Sequence, residues 1–116
     1  MNVESTPVEE IDPAGARLLV EAGAHLLDVR EDNEWEAGHA VAAAHLPMGQ
    51  VSGRIAEIPS DRTVVCVCRA GGRSGATAAA LAGAGYDVRN LAGGMLAWEL
   101  ASLPVVTDDG GDGRII

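Results

Sequence analysis

Short apolar runs alternate with segments whose apolar positions recur at helical spacing, from Val8 to Leu103. That alternation predicts an α/β fold with a mainly parallel sheet. Val8 to Ile11 reads as a short first strand. Asp12-Pro13 follows as an N-cap with proline at the first helical position, so a helix runs to about Glu21 and stops near Gly23. His25 to Val29 is a second strand with a polar end, Glu31 to Ala37 a short helix, Ala42 to Leu46 a third strand and Gly49 to Glu57 a further helix. Thr63 to Cys68 is the strongest strand because of its β-branched content. Ser74 to Gly83 is an alanine-rich helix, and its small side chains allow close packing on a sheet. Asp87 to Leu91 is the last strand, and Gly94 to Ala101 is the last helix, closed by Leu103-Pro104. Residues 1–106 are expected to form one domain, and the acidic, glycine-rich residues 107–116 a flexible tail.

With 116 residues, 47% of them hydrophobic, the chain suffices for one core of ordinary size and not for two. Any site must therefore be built on a single sheet. Eight arginine-type cations against 17 acidic residues give a net charge of -9, a field that opposes nucleic-acid phosphates and anionic lipid headgroups. An anionic substrate then needs a local cluster of arginines and backbone N–H groups to hold it. Met1 to Glu10 shows neither the basic segment nor the apolar run of a signal peptide, and no apolar stretch approaches the roughly 18 to 20 residues that cross a bilayer. A cytoplasmic location is expected. Cys66 and Cys68 lie two apart in a strand, roughly 6.5 to 7 Å from each other and at the edge of a disulfide's reach, so both are expected as free thiols in a reducing compartment.

Val64 to Ser74 places Cys68 at the carboxyl end of a buried strand, follows it with Arg69, Ala70, Gly71, Gly72 and Arg73, and then starts a helix at Ser74. Ligands of open α/β sheets bind off the carboxyl ends of strands. The two glycines let the loop curl so that successive N–H groups form an anion-binding nest, and the helix amino terminus adds about half a positive charge. A thiol at the centre of such a nest is driven toward thiolate, which marks Cys68 as the candidate nucleophile. Cys66, one pleat earlier, is expected to be a small buried hydrophobe. No second ligand pair stands near Cys66-Val67-Cys68, so a zinc site is not expected.

Three separated segments, in order, resemble the single-domain rhodaneses, a family of sulfurtransferases. Leu27-Asp28-Val29-Arg30-Glu31 with Glu34-Trp35 and Gly38-His39 resembles the family's first block, Cys68-Arg69-Ala70-Gly71-Gly72-Arg73-Ser74 its active-site loop, and Leu91-Ala92-Gly93-Gly94 with Trp98 and Leu103-Pro104-Val105 its carboxyl-terminal signature. Ala40 and Ala70 depart from the usual pattern, and Ala70 removes a hydroxyl from the loop. The resemblance implies a three-layer α/β/α domain. It also implies a thiolate that takes the sulfane sulfur of a donor such as thiosulfate, becomes a persulfide and passes the sulfur to cyanide or a thiol, with no metal or organic cofactor. Cys68 would be catalytic. Arg69, Ala70, Gly71, Gly72, Arg73 and Ser74 would bind substrate, the arginines through charge-assisted hydrogen bonds and the loop N–H groups through contact with the persulfide sulfur. Asp28 and Arg30, at the end of the neighbouring strand, would support the loop. His39 is expected to fix a turn, His25 and His45 have no acidic or Cys partner in the sequence, and Trp35 and Trp98 are expected as core anchors.

Two other functions fit parts of this pattern. A persulfide relay to a protein partner agrees with every residue. A phosphatase or arsenate reductase of the cell-cycle phosphatase type needs an arginine one place later, where Ser74 stands, because tetrahedral phosphate requires the longer loop. The arginine at 73 favours a cradle for a single sulfur atom. Gly93-Gly94 lacks the Lys-Ser/Thr of a nucleotide-binding loop.

Overall fold

The computed structural model describes residues 7–116, so the reading of Met1 to Glu10 falls in part outside the described residues. Five strands, β1 (Glu9–Ile11), β2 (His25–Asp28), β3 (Ala44–His45), β4 (Val64–Val67) and β5 (Val88–Leu91), form one sheet in the order β1-β5-β4-β2-β3. Every pairing is parallel. The helices are α1 (Pro13–Glu21), α2 (Asp32–Ala37), α3 (Gly72–Gly83) and α4 (Gly94–Leu100).

The pleat of β4 sorts the core into two layers. Val64, Cys66 and Cys68 pack with Ala78 and Leu81 of α3, and with Val51 and Ile58 from the segment before β4. Val65 and Val67 face the other way, onto Ala16 of α1 and Met95 and Trp98 of α4. The result is the expected three-layer α/β/α arrangement. All four β4 residues are buried, as a central parallel strand covered on both faces must be. Asp12 caps α1, its side chain accepting from the Gly15 N–H at 2.8 Å, with Pro13 at the first helical position.

Some elements differ from expectation. The segment Gly49 to Glu57 forms two tight 3-10 helices, Met48–Gln50 and Ser52–Glu57, instead of one α-helix. Gly49 and Gly53 weaken helical propensity there, and Arg54 breaks the helical backbone. Strand β3 keeps only two residues of Ala42 to Leu46.

The larger difference is at the carboxyl end. Residues 107–116, expected to be flexible, return to the domain. Val106 and His39 exchange backbone hydrogen bonds of 2.9 Å, and the Arg114 N–H donates to the Ala37 carbonyl at 2.9 Å. Ile115 packs against the α1–α4 layer of the core. Glycines make this possible: a Cβ on Gly38 would stand 2.5 Å from Arg114 N, and one on Gly113 2.8 Å from Gly38 Cα. Composition marks the segment as polar, whereas its few apolar and glycine positions fall where the domain can receive them. Among the described residues no helix is long and apolar enough to cross a membrane.

Candidate active site

Cys68 directly follows β4, at the carboxyl edge of the sheet, and exposes 1% of its surface. The chain turns over it at Gly71, whose φ of 110° is a left-handed conformation that glycine adopts without penalty. This turn brings the Gly71 N–H to 3.1 Å from Cys68 Sγ and the Ser74 hydroxyl to 3.3 Å, both donating. Burial works to raise the Cys68 pKa. It is outweighed by the Ser74 hydroxyl and the main-chain N–H groups of Ser74, Gly71 and Ala70, which hold the thiol below its ordinary value. Cys66, on the same face of β4, has no such donors, and burial first and the Cys68 charge second push it up to about 12. Both are free thiols.

Two neighbouring elements fix the loop from behind. At the start of α4 the Met95 N–H donates to the Cys68 carbonyl at 2.8 Å and the Leu96 N–H to the Arg69 carbonyl at 3.1 Å. Gly94 permits this approach, since a Cβ there would overlap both carbonyls. Asn90 on β5 donates to the Gly71 carbonyl at 3.1 Å and to the Glu10 carboxylate at 3.0 Å. Neither Asn90 nor Glu10 carries any motif signal in the sequence. Gly94 belongs to a glycine pair visible there, but its packing role emerges only from the close crossing of α4 over the loop.

The arginines lie differently from the sequence expectation of two cations turned to a bound anion. Arg73 makes a two-point ion pair with Glu34 of α2, Nη1 to Oε1 at 2.7 Å and Nη2 to Oε2 at 2.9 Å. Glu34 also accepts from the Glu31 N–H at 3.0 Å and so closes the capping box of α2. The Arg73 hydrogen bonds lead the effects that lower Glu34 to a pKa of about 2, and the same pairing raises that of Arg73. Arg69 is exposed, and its Nε donates to the Ile116 main-chain oxygen at 3.0 Å. Ala70 is exposed at the turn, and Gly72 is the first residue of α3.

Asp28 and Arg30 form a fully buried ion pair, with Arg30 Nη2 at 2.7 Å from Asp28 Oδ2. Arg30 also donates to the carbonyls of Glu34 at 3.3 Å and Gly38 at 2.8 Å. The pair thus holds the middle of α2 at Glu34 and its C-cap at Gly38, and α2 carries Glu34 to Arg73. Its link to the loop is indirect.

Trp98 is buried in the core, its indole N–H on the Pro104 carbonyl at 3.0 Å. Trp35 is not a core anchor. It stacks on His39 with ring centroids 3.5 Å apart and on His45 at 4.8 Å, and its indole N–H reaches Asp108 at 3.2 Å. His39 Nε2 meets the same Asp108 oxygen at 2.9 Å, so this histidine ties the carboxyl-terminal segment to α2. His45 does have an acidic neighbour, Asp32, at 3.9 Å. Parallel pairing of β2 and β3 brings that contact about, and spacing along the chain does not show it.

Comparison with known proteins agrees with this geometry. The model of the rhodanese-like domain matches residues 12–101. The chain is 41% identical over 106 residues to a protein named sulfurtransferase from Allochromatium vinosum, covering 89% of this chain and 99% of that one. It is 36% identical to thiosulfate sulfurtransferase GlpE of Pseudomonas syringae, over 80% of this chain and 89% of that one. A rhodanese-related protein of Thermoplasma volcanium superimposes with a TM-score of 0.80 at 26% identity, covering 84% of this chain and 97% of the other.

Proposed function

The chain belongs to the rhodanese-like sulfurtransferase family, and from that premise we propose that it carries a sulfane sulfur on Cys68 between a small donor and a thiophilic acceptor. The observation that carries the reading is the convergence of the Gly71 N–H and the Ser74 hydroxyl on Cys68 Sγ at a strand end. These donors favour the thiolate, the attacking form.

With thiosulfate the thiolate attacks the outer sulfur, a new S–S bond forms, and the original sulfur–sulfur bond breaks with its electron pair leaving on sulfite. Cys68 is left as a persulfide whose outer sulfur is anionic. Charge is conserved, and no proton is needed. In the second half-reaction cyanide or an acceptor thiolate attacks that outer sulfur and restores the Cys68 thiolate. The loop N–H groups that hold the resting sulfur serve the displaced charge in both steps, as an oxyanion hole serves oxygen. Because Cys68 exposes only 1% of its surface, a single sulfur atom at the end of a small donor suits the site better than a bulky group. Arg69, exposed at the rim, supplies charge to draw the anion in.

Thiosulfate as a donor is supported by the likeness to the Pseudomonas syringae enzyme of that name. A persulfide on a partner protein would use the same atoms and make the chain a relay. A cytoplasmic setting belongs to this reading, since the thiols must stay reduced between turnovers.

Intact-mass measurement after thiosulfate treatment tests the proposal. One added sulfur, mapped to Cys68 and removed by cyanide, is expected. No adduct from thiosulfate or from a low-molecular persulfide, or an adduct on Cys66, would overturn it.

A further inference from the structure

Arg73 is the loop cation directly before Ser74 in the chain, and its charge is matched. Glu34 holds it at two points, and the Glu34 side chain is only 13% exposed. The carboxylate cannot readily swing away, because the same Oε1 accepts the Glu31 N–H that caps α2. Glu31 adds a second negative charge felt by Arg73, and the chain as a whole carries -9. Arg73 immediately precedes Ser74, whose hydroxyl donates to Cys68 Sγ at 3.3 Å, and it feels the Cys68 charge, so the net charge of the Glu34–Arg73 pair bears on what approaches the thiolate.

We propose that Glu34 is a specificity-determining residue: by neutralising Arg73 it disfavours dianionic sulfur donors and biases the site toward donors of lower negative charge. The inference rests on the sulfur-transfer reading above and refines which donors that reaction uses. Its physical basis is simple. A unit positive charge beside the site would assist a dianion about twice as strongly as a monoanion, and for a partly exposed cation screened toward the dielectric of water each charge unit a few ångströms away is worth about tenfold in rate. Pairing with Glu34 removes that advantage while leaving the N–H donors to the persulfide sulfur intact.

Thiosulfate and methanethiosulfonate provide the test, since both deliver a terminal sulfane sulfur and they differ by one unit of charge. Their leaving groups are sulfite and methanesulfinate. The quantity read is the ratio of their kcat/KM values for Cys68 persulfide formation. Glu34→Gln should raise the thiosulfate-to-methanethiosulfonate ratio about tenfold, with the gain shrinking as salt is added. Arg73→Gln should lower it by a similar factor. The double variant, which restores a neutral pair, should return the ratio to within about twofold of the parent. A ratio unmoved by Glu34→Gln would overturn the inference, as would a double variant as poor with thiosulfate as Arg73→Gln alone. Should Glu34→Gln fail to fold, Arg73→Gln decides the matter alone, since it leaves the capping box in place: a ratio within about twofold of the parent would overturn the inference. A parent protein that forms no Cys68 persulfide from either donor would fail the sulfur-transfer reading itself, and the donor preference would fall with it.

Discussion

Cys66 and Cys68 stand two residues apart, face the same layer of the core, and differ in chemistry because only Cys68 lies beyond the end of β4, where the loop folds over it. The Gly71 N–H and Ser74 hydroxyl lower the pKa of one thiol, while burial pushes the other up to about 12. Cys68→Ser should therefore abolish persulfide formation. Cys66→Ala should keep most of the activity and cost about 1 kcal/mol for the small cavity it leaves. Sulfur transfer by Cys68→Ser at an appreciable fraction of the parent rate would contradict the assignment.

The Ser74 hydroxyl favours the anion of Cys68, so reactivity should follow a thiolate that persists below the ordinary thiol range and is lost only as pH falls through its depressed pKa. Ser74→Ala should move that fall to higher pH and slow reaction at neutral pH by about tenfold. Rates of alkylation by iodoacetamide across pH would measure it. An unmoved inflection would exclude the hydroxyl as a source of thiolate stability.

Arg30 and Asp28 are fully buried, and removing one charge strands the other. Arg30→Met is expected to destabilise the fold by about 3 to 5 kcal/mol in urea unfolding. Adding Asp28→Asn should recover part of that loss. Because Arg30 holds the Glu34 and Gly38 carbonyls, the single variant should also loosen α2, visible as faster amide exchange in residues 32–37. Exchange there equal to the parent's would show that α2 is held by other contacts.

Gly38 has extended backbone, with φ of 164°, so its need for glycine comes from space and not from strain. In Gly38→Ala the new Cβ meets Arg114 N at 2.5 Å and Arg114 O at 2.7 Å. The carboxyl-terminal segment should detach, at a cost of about 1 to 3 kcal/mol. Limited proteolysis would then cut within residues 107–116, which should resist cleavage in the parent.

The alternation of apolar runs and the β-branched Thr63 to Cys68 made the parallel sheet legible, and Cys68, Gly71, Gly72 and Ser74 stand in one stretch of chain. A strand end, a turn and a helix start are local events, governed by backbone conformation and short-range hydrogen bonding, so the nest around Cys68 is legible from the chain alone. The sequence by itself did not determine what the arginines do. Arg73 meets Glu34 across 39 positions, and Arg69 meets Ile116 across 47. The placement of β4 between β2 and β5 set α2 and the start of α4 on either side of the loop. The same holds for residues 107–116: polar composition argues for disorder when no partner is in view, and the missing side chains of Gly38 and Gly113 become informative only once their backbones are seen to touch. Charge compensation and close backbone approach depend on distances between elements far apart in the chain, which periodicity does not encode; those the tertiary structure alone decided.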